Sequence, residues 1–138
     1  MGQLLDSGLW IVLARPRSPR KAKALVARHV DAAGACVAEP VVFEVLRGAN
    51  DAESGLLSPY FETLPLLESP LGLWSDGVAL GKACRAAGYC PGSIDLLIAA
   101  VAIDHDAELV TFDTDFEQIA EVSSLRVRVL AYPEAQGT

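Results

Sequence analysis

The sequence predicts an α/β fold, in which helices pack against a central and mostly parallel sheet of about five strands. Two observations support this prediction. Short apolar runs of strand length alternate along the chain with longer runs of helical periodicity, and Gly, Pro or Asp residues separate them. The chain has 138 residues, which is enough for one domain with a sizeable core, and no repeat or linker divides it. We therefore expect a single domain over residues 1–132 and a frayed tail over residues 133–138.

The first predicted elements are a buried strand over residues 3–5 and one or two helical turns over residues 9–14. Asp6 directly follows the strand, so it lies at the strand's carboxyl end. Pro16 and Pro19 then end the helical pattern, because a proline cannot donate an amide hydrogen bond and does not fit a helix interior.

The second helix has clear boundary residues. Ser18 can cap it and Pro19 suits its first position. The amphipathic run over residues 21–33 then stops at Gly34. Residues 35–38 are apolar and few, which predicts the second strand.

Residues 40–48 predict a helix that opens with a proline and closes near a glycine. The polar residues 50–54 predict a loop. Residues 56–63 predict a further helix that Pro59 either starts or interrupts.

An edge strand and an amphipathic helix come next. Residues 64–68 suit an edge strand, because Pro65 cannot donate to a central ladder of hydrogen bonds. Residues 74–87 have helical periodicity, and Gly88 is the expected stop.

The last third of the chain begins with its most apolar stretch. Residues 91–102 predict a very apolar helix with Asp95 in its first turn. A buried strand over residues 109–112 leads to two further aspartates, and a short helix over residues 116–122 follows. Residues 125–130 alternate apolar and basic side chains, which is typical of an edge strand.

Four acidic residues lie beside apolar segments, at strand ends or on helices: Asp6, Glu44, Asp95 and Asp113. Asp115 is a fifth candidate. In a parallel sheet the functional crevice lies outside the carboxyl ends of the strands, where two of these acids are expected. If the fold brings the acids together, their like charges raise their pKa values unless a divalent cation binds. Carboxylate ligands without His or Cys select Mg²⁺ or Mn²⁺, and such an ion can activate water against a phosphodiester.

Each acid also has a purely structural interpretation. Asp95 can be a favourable first-turn acid, and Asp6 can cap the helix that follows it. Glu44 can pair with Arg47 on the next turn, and Asp113 can be a turn residue.

The charge distribution is uneven. The net charge is −7, which argues against nucleic acid only if the charge is evenly spread. Six of the eleven basic residues fall in one short segment and form either a solvated helix face or a phosphate-binding patch: Arg15, Arg17, Arg20, Lys21, Lys23 and Arg28.

The two tryptophans, Trp10 and Trp74, are expected to anchor a core or an interface, with base stacking as the alternative.

Other protein classes are excluded by composition. The three cysteines form no CxxC pair, so we expect neither a disulfide framework nor a zinc site. The longest apolar run, residues 96–103, is too short for a membrane span, and the N-terminus lacks a secretion signal. We therefore expect a cytoplasmic protein with no membrane partner.

Four acid-containing segments follow one another over nearly the whole chain. Together they resemble those of the PIN-domain nucleases, and within that family the chain is similar to the VapC-type toxins of bacterial toxin–antitoxin pairs. The matching segments are Leu5-Asp6-Ser7 with Trp10-Ile11, then residues 44–48, 95–100 and 109–116.

The resemblance implies a PIN-like three-layer α/β/α sandwich with four catalytic acids, Asp6, Glu44, Asp95 and Asp113. It implies a Mg²⁺ site, in which Mn²⁺ can substitute, at Asp6, Asp95, Asp113 and Asp115. Ser7 and Thr111 are expected next to these ligands as supporting residues. Gly8 stands where many relatives carry a serine, which affects a supporting hydrogen bond and not a ligand. Asp113 and Asp115 exchange roles if the strand boundary shifts by two residues, so their assignment stays open.

The resemblance further implies an endoribonuclease that cleaves single-stranded or structured RNA and acts as a toxin. Its implied partners are the RNA substrate, a VapB-like antitoxin that inserts into the active-site groove, and a second copy of the chain. The candidate RNA contacts are Arg15, Arg17, Arg20 and Lys21.

Two rival functions remain. An aspartate-based phosphatase would use Asp6 as its nucleophile, but Gly8 occupies the position of the second aspartate that this class needs. A catalytically silent interaction module would keep the acids as structural residues.

Overall fold

The computed structural model describes residues 2–133, which form five strands and seven helices. Of the tail predicted over residues 133–138, all but Pro133 lies outside the described residues, so the domain boundary stays a prediction. The strands are β1 (Gln3–Leu5), β2 (Ala35–Ala38), β3 (Leu66–Leu67), β4 (Glu108–Thr111) and β5 (Arg126–Val129). The helices are α1 (Ser7–Ala14), α2 (Arg20–Val30), α3 (Glu39–Gly48), α4 (Asp51–Thr63), α5 (Leu73–Ala86), α6 (Ser93–Asp104) and α7 (Asp115–Glu121).

All five strands are parallel and lie in the order β3-β2-β1-β4-β5. The central pair, β1 and β4, is in the register that places Leu5 opposite Val110. The two strands predicted from Pro65 and from the alternating basic pattern are indeed the edges of the sheet. Helices cover both faces of this sheet, which confirms the predicted α/β/α sandwich.

The core lies around the central strands and α6. Leu4 and Leu5 of β1 and Leu109 and Val110 of β4 are fully buried, as expected for strands covered on both faces. On α6, the segment from Ile98 to Ala102 is also buried, which confirms the apolar helix predicted there. Within residues 2–133, every helix is too short or too polar to span a lipid bilayer.

The structure corrects the sequence prediction at α4. Residues 50–54 are not a loop: Asn50 caps the helix by accepting a hydrogen bond from the Glu53 amide at 2.8 Å, and the Glu53 carboxylate accepts one from the Asn50 amide at 2.9 Å. This reciprocal cap satisfies two amide groups that a helix start leaves unpaired. The helix then runs through Pro59, which is exposed, so water can reach the carbonyl that the proline leaves without a donor.

The start of α2 is a second correction. The helix begins at Arg20 with Pro19 as the preceding residue, and no side chain caps it. Ser18 instead donates its backbone amide to the carbonyl of Arg15 at 3.2 Å, so it belongs to the preceding turn. The helix ends at Val30, and Gly34 lies in the turn before β2 with a φ of 92°, a conformation that favours glycine.

Candidate active site

The parallel pairing of β1 with β4 places Asp6 next to Thr111. The Asp6 amide donates to the carbonyl of Val110 at 2.9 Å, which extends the strand pairing by one residue. The Thr111 hydroxyl then donates to Oδ2 of Asp6 at 2.7 Å. Because parallel strands end at the same edge of the sheet, two polar side chains 105 residues apart meet there.

The segment after β4 continues this hydrogen-bonded chain. The Asp113 amide donates to Oγ1 of Thr111 at 2.9 Å, and the Asp115 amide donates to Oδ1 of Asp113 at 2.8 Å. One hydroxyl therefore fixes both the Asp6 carboxylate and the backbone that carries Asp113. The sequence did not indicate these backbone donors, although acids and hydroxyls spaced two residues apart are typical of such local turns.

Asp6 is buried, with 6% of its surface exposed. Its pKa is raised to about 6, chiefly by burial and to a lesser extent by the negative charges of Glu44 and Asp113. Hydrogen bonds from the Thr111 hydroxyl and the Ser7 amide act in the opposite direction and lower it. Asp6 precedes α1 as its cap residue, but its side chain does not cap the helix. The capping interpretation is therefore wrong.

Asp95 lies in the first turn of α6 and is half-buried. Its pKa is raised to about 7, chiefly by burial and then by the charges of the four other candidate acids, namely Asp6, Glu44, Asp113 and Asp115. The four other predicted acids therefore lie within electrostatic range of this carboxylate.

Glu44 comes from α3 and is half-buried. Across residues 2–133, no salt bridge joins it to Arg47, so the ion-pair interpretation is wrong. With Arg15 and Glu53, Glu44 instead lines a small cavity of about 50 Å³ between α1, α3 and α4.

The predicted RNA contacts lie at and after the end of α1. Arg15 lies near Glu44, an acid of the site, while Arg17, Arg20 and Lys21 are exposed around the turn from α1 to α2.

Ser7 is the first residue of α1 and is 4% exposed. Its hydroxyl is buried without a hydrogen-bond partner among the described residues. A buried hydroxyl without a partner is costly unless water or a ligand reaches it. Since it lies directly after Asp6, it can support a group bound at that carboxylate.

The donor chemistry of the site fits a hard divalent cation. Its side chains offer carboxylate oxygens, and a bound dication lowers the mutual repulsion that raises the pKa values of Asp6 and Asp95. Within residues 2–133, however, no three acidic, His or Cys side chains already converge on one point as metal ligands. The acids are therefore close enough to interact electrostatically but are not arranged as a finished coordination shell.

Comparisons with known proteins agree with this architecture. The sequence model of the PIN domain matches residues 4–122. Ribonuclease VapC11 of Mycobacterium tuberculosis and VapC ribonuclease Mb1587 of Mycobacterium bovis are each 32% identical to this chain over 129 residues, which is 89% of the chain and 95% of each relative.

Two solved structures share the fold. VapBC2 from Rickettsia felis, bound to a DNA fragment from their promoter, superposes with a TM-score of 0.75 at 17% identity, covering 94% of this chain and 99% of that chain. VapC20 from Mycobacterium tuberculosis, described as a sarcin–ricin loop cleaving toxin, has a TM-score of 0.67 at 18% identity and covers 91% of this chain and 99% of that chain.

Proposed function

Because the chain belongs to the PIN domain family, we propose that it is a metal-dependent endoribonuclease and the toxin of a cytoplasmic toxin–antitoxin pair. The observation that carries the proposal is that four other carboxylates lie close enough to Asp95, near the carboxyl ends of the parallel strands, to raise its pKa. The 32% identical relatives are named ribonucleases, which supports the same reaction here.

We assign the catalytic role to Asp6, Glu44, Asp95 and Asp113. Asp6, Asp95, Asp113 and Asp115 would hold Mg²⁺ or, in its place, Mn²⁺. When bound, such an ion polarises a phosphodiester and lowers the pKa of a water. Thr111 orients Asp6 through its hydroxyl, and the Ser7 amide adds a second hydrogen bond to the same carboxylate.

The two aspartates after β4 have different surroundings. The charge of Asp113 raises the pKa of both Asp6 and Asp95, whereas Asp115 affects only Asp95 and is the weakest of its contributors. This difference supports Asp113 as the more central acid and Asp115 as an auxiliary one.

The substrate we propose is RNA, single-stranded or structured, with Arg15, Arg17, Arg20 and Lys21 as candidate contacts to phosphates. The partners we propose are a VapB-like antitoxin and a second copy of the chain. The Rickettsia felis structure is of a VapBC pair, which supports an antitoxin partner.

The decisive experiment measures cleavage of a labelled RNA by the purified, antitoxin-free chain. We expect cleavage with Mg²⁺ or Mn²⁺, loss of cleavage with EDTA, and recovery when the metal is restored. Asp95→Asn should lower the rate by about a hundredfold or more, because it removes a charged ligand and leaves the fold intact.

Glu62→Gln is the matched control, since Glu62 is an exposed acid on α4 outside the cluster, and it should cleave like the wild type. Full cleavage by Asp95→Asn would contradict the site assignment. Intact RNA with the wild-type chain under all metal conditions would favour the silent interaction module, and a trapped phosphoryl-Asp6 would favour the phosphatase.

A further inference from the structure

A groove of about 580 Å³ lies between α5 and the start of α6, outside the acid cluster. Aromatic, cationic and apolar side chains line it, and none of the described residues in its lining is acidic. Trp74, Val78, Lys82 and Arg85 follow one another on α5 at spacings of three or four residues, so they share one face of the helix.

Two glycines bring the helices together beneath this groove. A Cβ atom on Gly77 would lie 3.1 Å from Cδ2 of Leu97, and one on Gly81 would lie 3.2 Å from Cδ1 of Leu96. These distances are shorter than ordinary contacts, so the absence of a side chain at both positions lets α6 approach α5 closely. Leu96 and Leu97 therefore line the groove together with the exposed residues of α5.

The two aromatic residues of the groove, Trp74 and Tyr89, differ in how firmly they are held. Trp74 is 72% exposed, whereas the other tryptophan of the chain, Trp10, lies outside the groove and is fully buried in the core. The hydroxyl of Tyr89 is held by the carboxylate of Glu121, which fixes the position of that ring. Trp74 thus offers an accessible flat surface that makes no contribution to the core of the chain.

The charge of the groove is opposite to that of the molecule. The chain has 18 acidic and 11 basic residues, yet the charged side chains in this lining are Lys82 and Arg85. Both are exposed, and within residues 2–133 neither lies in a salt bridge. Such a surface attracts an anionic ligand despite the net charge of −7.

One end of the groove reaches the acid cluster. Pro91 and Ser93 line the groove, and Gly92 lies between them. A Cβ atom on Gly92 would be 3.6 Å from Oδ2 of Asp95, so this carboxylate lies directly beside that rim. A nucleic-acid strand bound in the groove would therefore lie close to Asp95.

We propose that this groove binds a segment of single-stranded RNA next to the scissile phosphate, with a base stacked on Trp74 and phosphates held by Lys82 and Arg85. This inference rests on the proposed ribonuclease function. An exposed aromatic side chain combined with cations is the usual means of binding single strands without reading their sequence. A second copy of the chain is a poorer occupant, because a two-fold contact through this face would bring the same cations of both copies together.

The test is binding of a fluorescein-labelled single-stranded oligoribonucleotide, measured by anisotropy in EDTA so that no metal-dependent cleavage occurs. Trp74→Ala should weaken the Kd roughly fivefold to hundredfold, while Leu71→Ala, an exposed apolar residue outside the lining, should not. Lys82→Glu and Arg85→Glu should each weaken binding and reduce the slope of log Kd against log salt by about one or more. Arg128→Glu makes the same charge change on the exposed surface of β5, outside the groove lining and outside the basic segment of residues 15–28, and is the matched control.

Fluorescence gives an independent reading. Trp10 and Trp74 are the two tryptophans of the chain, and Trp10 is fully buried, so quenching by bound RNA should come from Trp74 and disappear in Trp74→Phe. Wild-type affinity in Trp74→Ala, Lys82→Glu and Arg85→Glu, with the wild type binding RNA, overturns the groove and leaves the ribonuclease proposal standing. The same overturning follows if these variants change only the oligomeric state measured by light scattering. A wild type that binds RNA through the groove but cleaves none with metal supports the groove and contradicts the proposed activity.

Discussion

Thr111 uses a single hydroxyl for two tasks, since it donates to Asp6 and accepts from the amide of Asp113. Thr111→Val keeps the shape of this fully buried side chain and removes both bonds. We expect a tenfold to hundredfold loss in apparent Mg²⁺ affinity or cleavage rate, the size usual for residues that orient metal ligands. Mg²⁺ titration of the cleavage rate measures this loss.

Thr111→Ser is the matched control, because it keeps the hydroxyl, and it should recover most of the activity. A folded Thr111→Val variant with wild-type metal affinity and rate would show that the hydroxyl does not position Asp6.

At the residue scale the sequence singles out the candidate acids by their setting. Asp6, Asp95 and Asp113 each interrupt or follow an apolar segment at a position where packing gives no use for a charge. The sequence could not separate Asp113 from Asp115, because the distinction depends on a local turn in which one backbone amide binds the other residue's carboxylate. It also could not show that the Ser7 hydroxyl is buried without a partner.

Within α4, Gly55 lies in the helix interior, and a Cβ atom there would meet nothing within 4 Å. Gly55→Ala should therefore stabilise the chain by about 0.5–1 kcal/mol, because alanine restricts the unfolded chain and favours the helix. Urea unfolding at fixed pH measures the change.

Gly88 after α5 is the contrasting case. A Cβ atom has equal space there, but the φ of 87° is strained for any residue with a side chain. Gly88→Ala should destabilise the chain by about 1 kcal/mol or more. If both glycines respond alike, backbone conformation does not decide their effect.

At the element scale, the errors occur where local hydrogen bonds outweigh composition. Residues 50–54 are polar, which favours a loop, but the reciprocal bonds between Asn50 and Glu53 begin a helix there. Proline at 59 normally ends a helix, yet its exposed position lowers the cost of the missing donor. The groove between α5 and α6 was not predicted, because Trp74 and Ser93 become neighbours only when the two helices pack.

The stability of the whole molecule should depend on pH through its acids. Asp95 has an ordinary pKa of 3.8 and a pKa of about 7 in the folded chain, and that of Asp6 is raised to about 6. Between the ordinary pKa of 3.8 and these raised values, the folded chain binds more protons than the unfolded chain. The free energy of unfolding therefore falls as pH rises from about 4 to 7. These contributions are complete below pH 4 and are lost above pH 7.

In EDTA, Asp95→Asn should therefore be more stable than the wild type at pH 8, by roughly 1–2 kcal/mol once solvent screening of this half-exposed group is allowed for. The difference should shrink towards pH 4, and urea midpoints at the two pH values measure it. Glu62→Gln should show no such trend. A constant difference across this range would mean that the surroundings of Asp95 do not raise its pKa.

The topology of the whole molecule was largely predictable, because alternating strands and helices leave few arrangements that cover both faces of a parallel sheet. The strand order is harder to predict from the sequence, because β1 pairs with β4, which is distant from it along the chain. That neighbour relation is what collects the acids of both chain ends at one edge.

The bond between Thr111 and Asp6 also sets when the site can exist during biosynthesis. A ribosome adds Thr111 more than a hundred residues after Asp6, and Asp113 and Asp115 are added later still. A growing chain therefore carries Asp6 and Glu44 long before it can pair β1 with β4. Assembly of the acid cluster therefore has to wait until β4 and the residues after it have been made, and under the proposed function a shorter nascent chain would lack the assembled site.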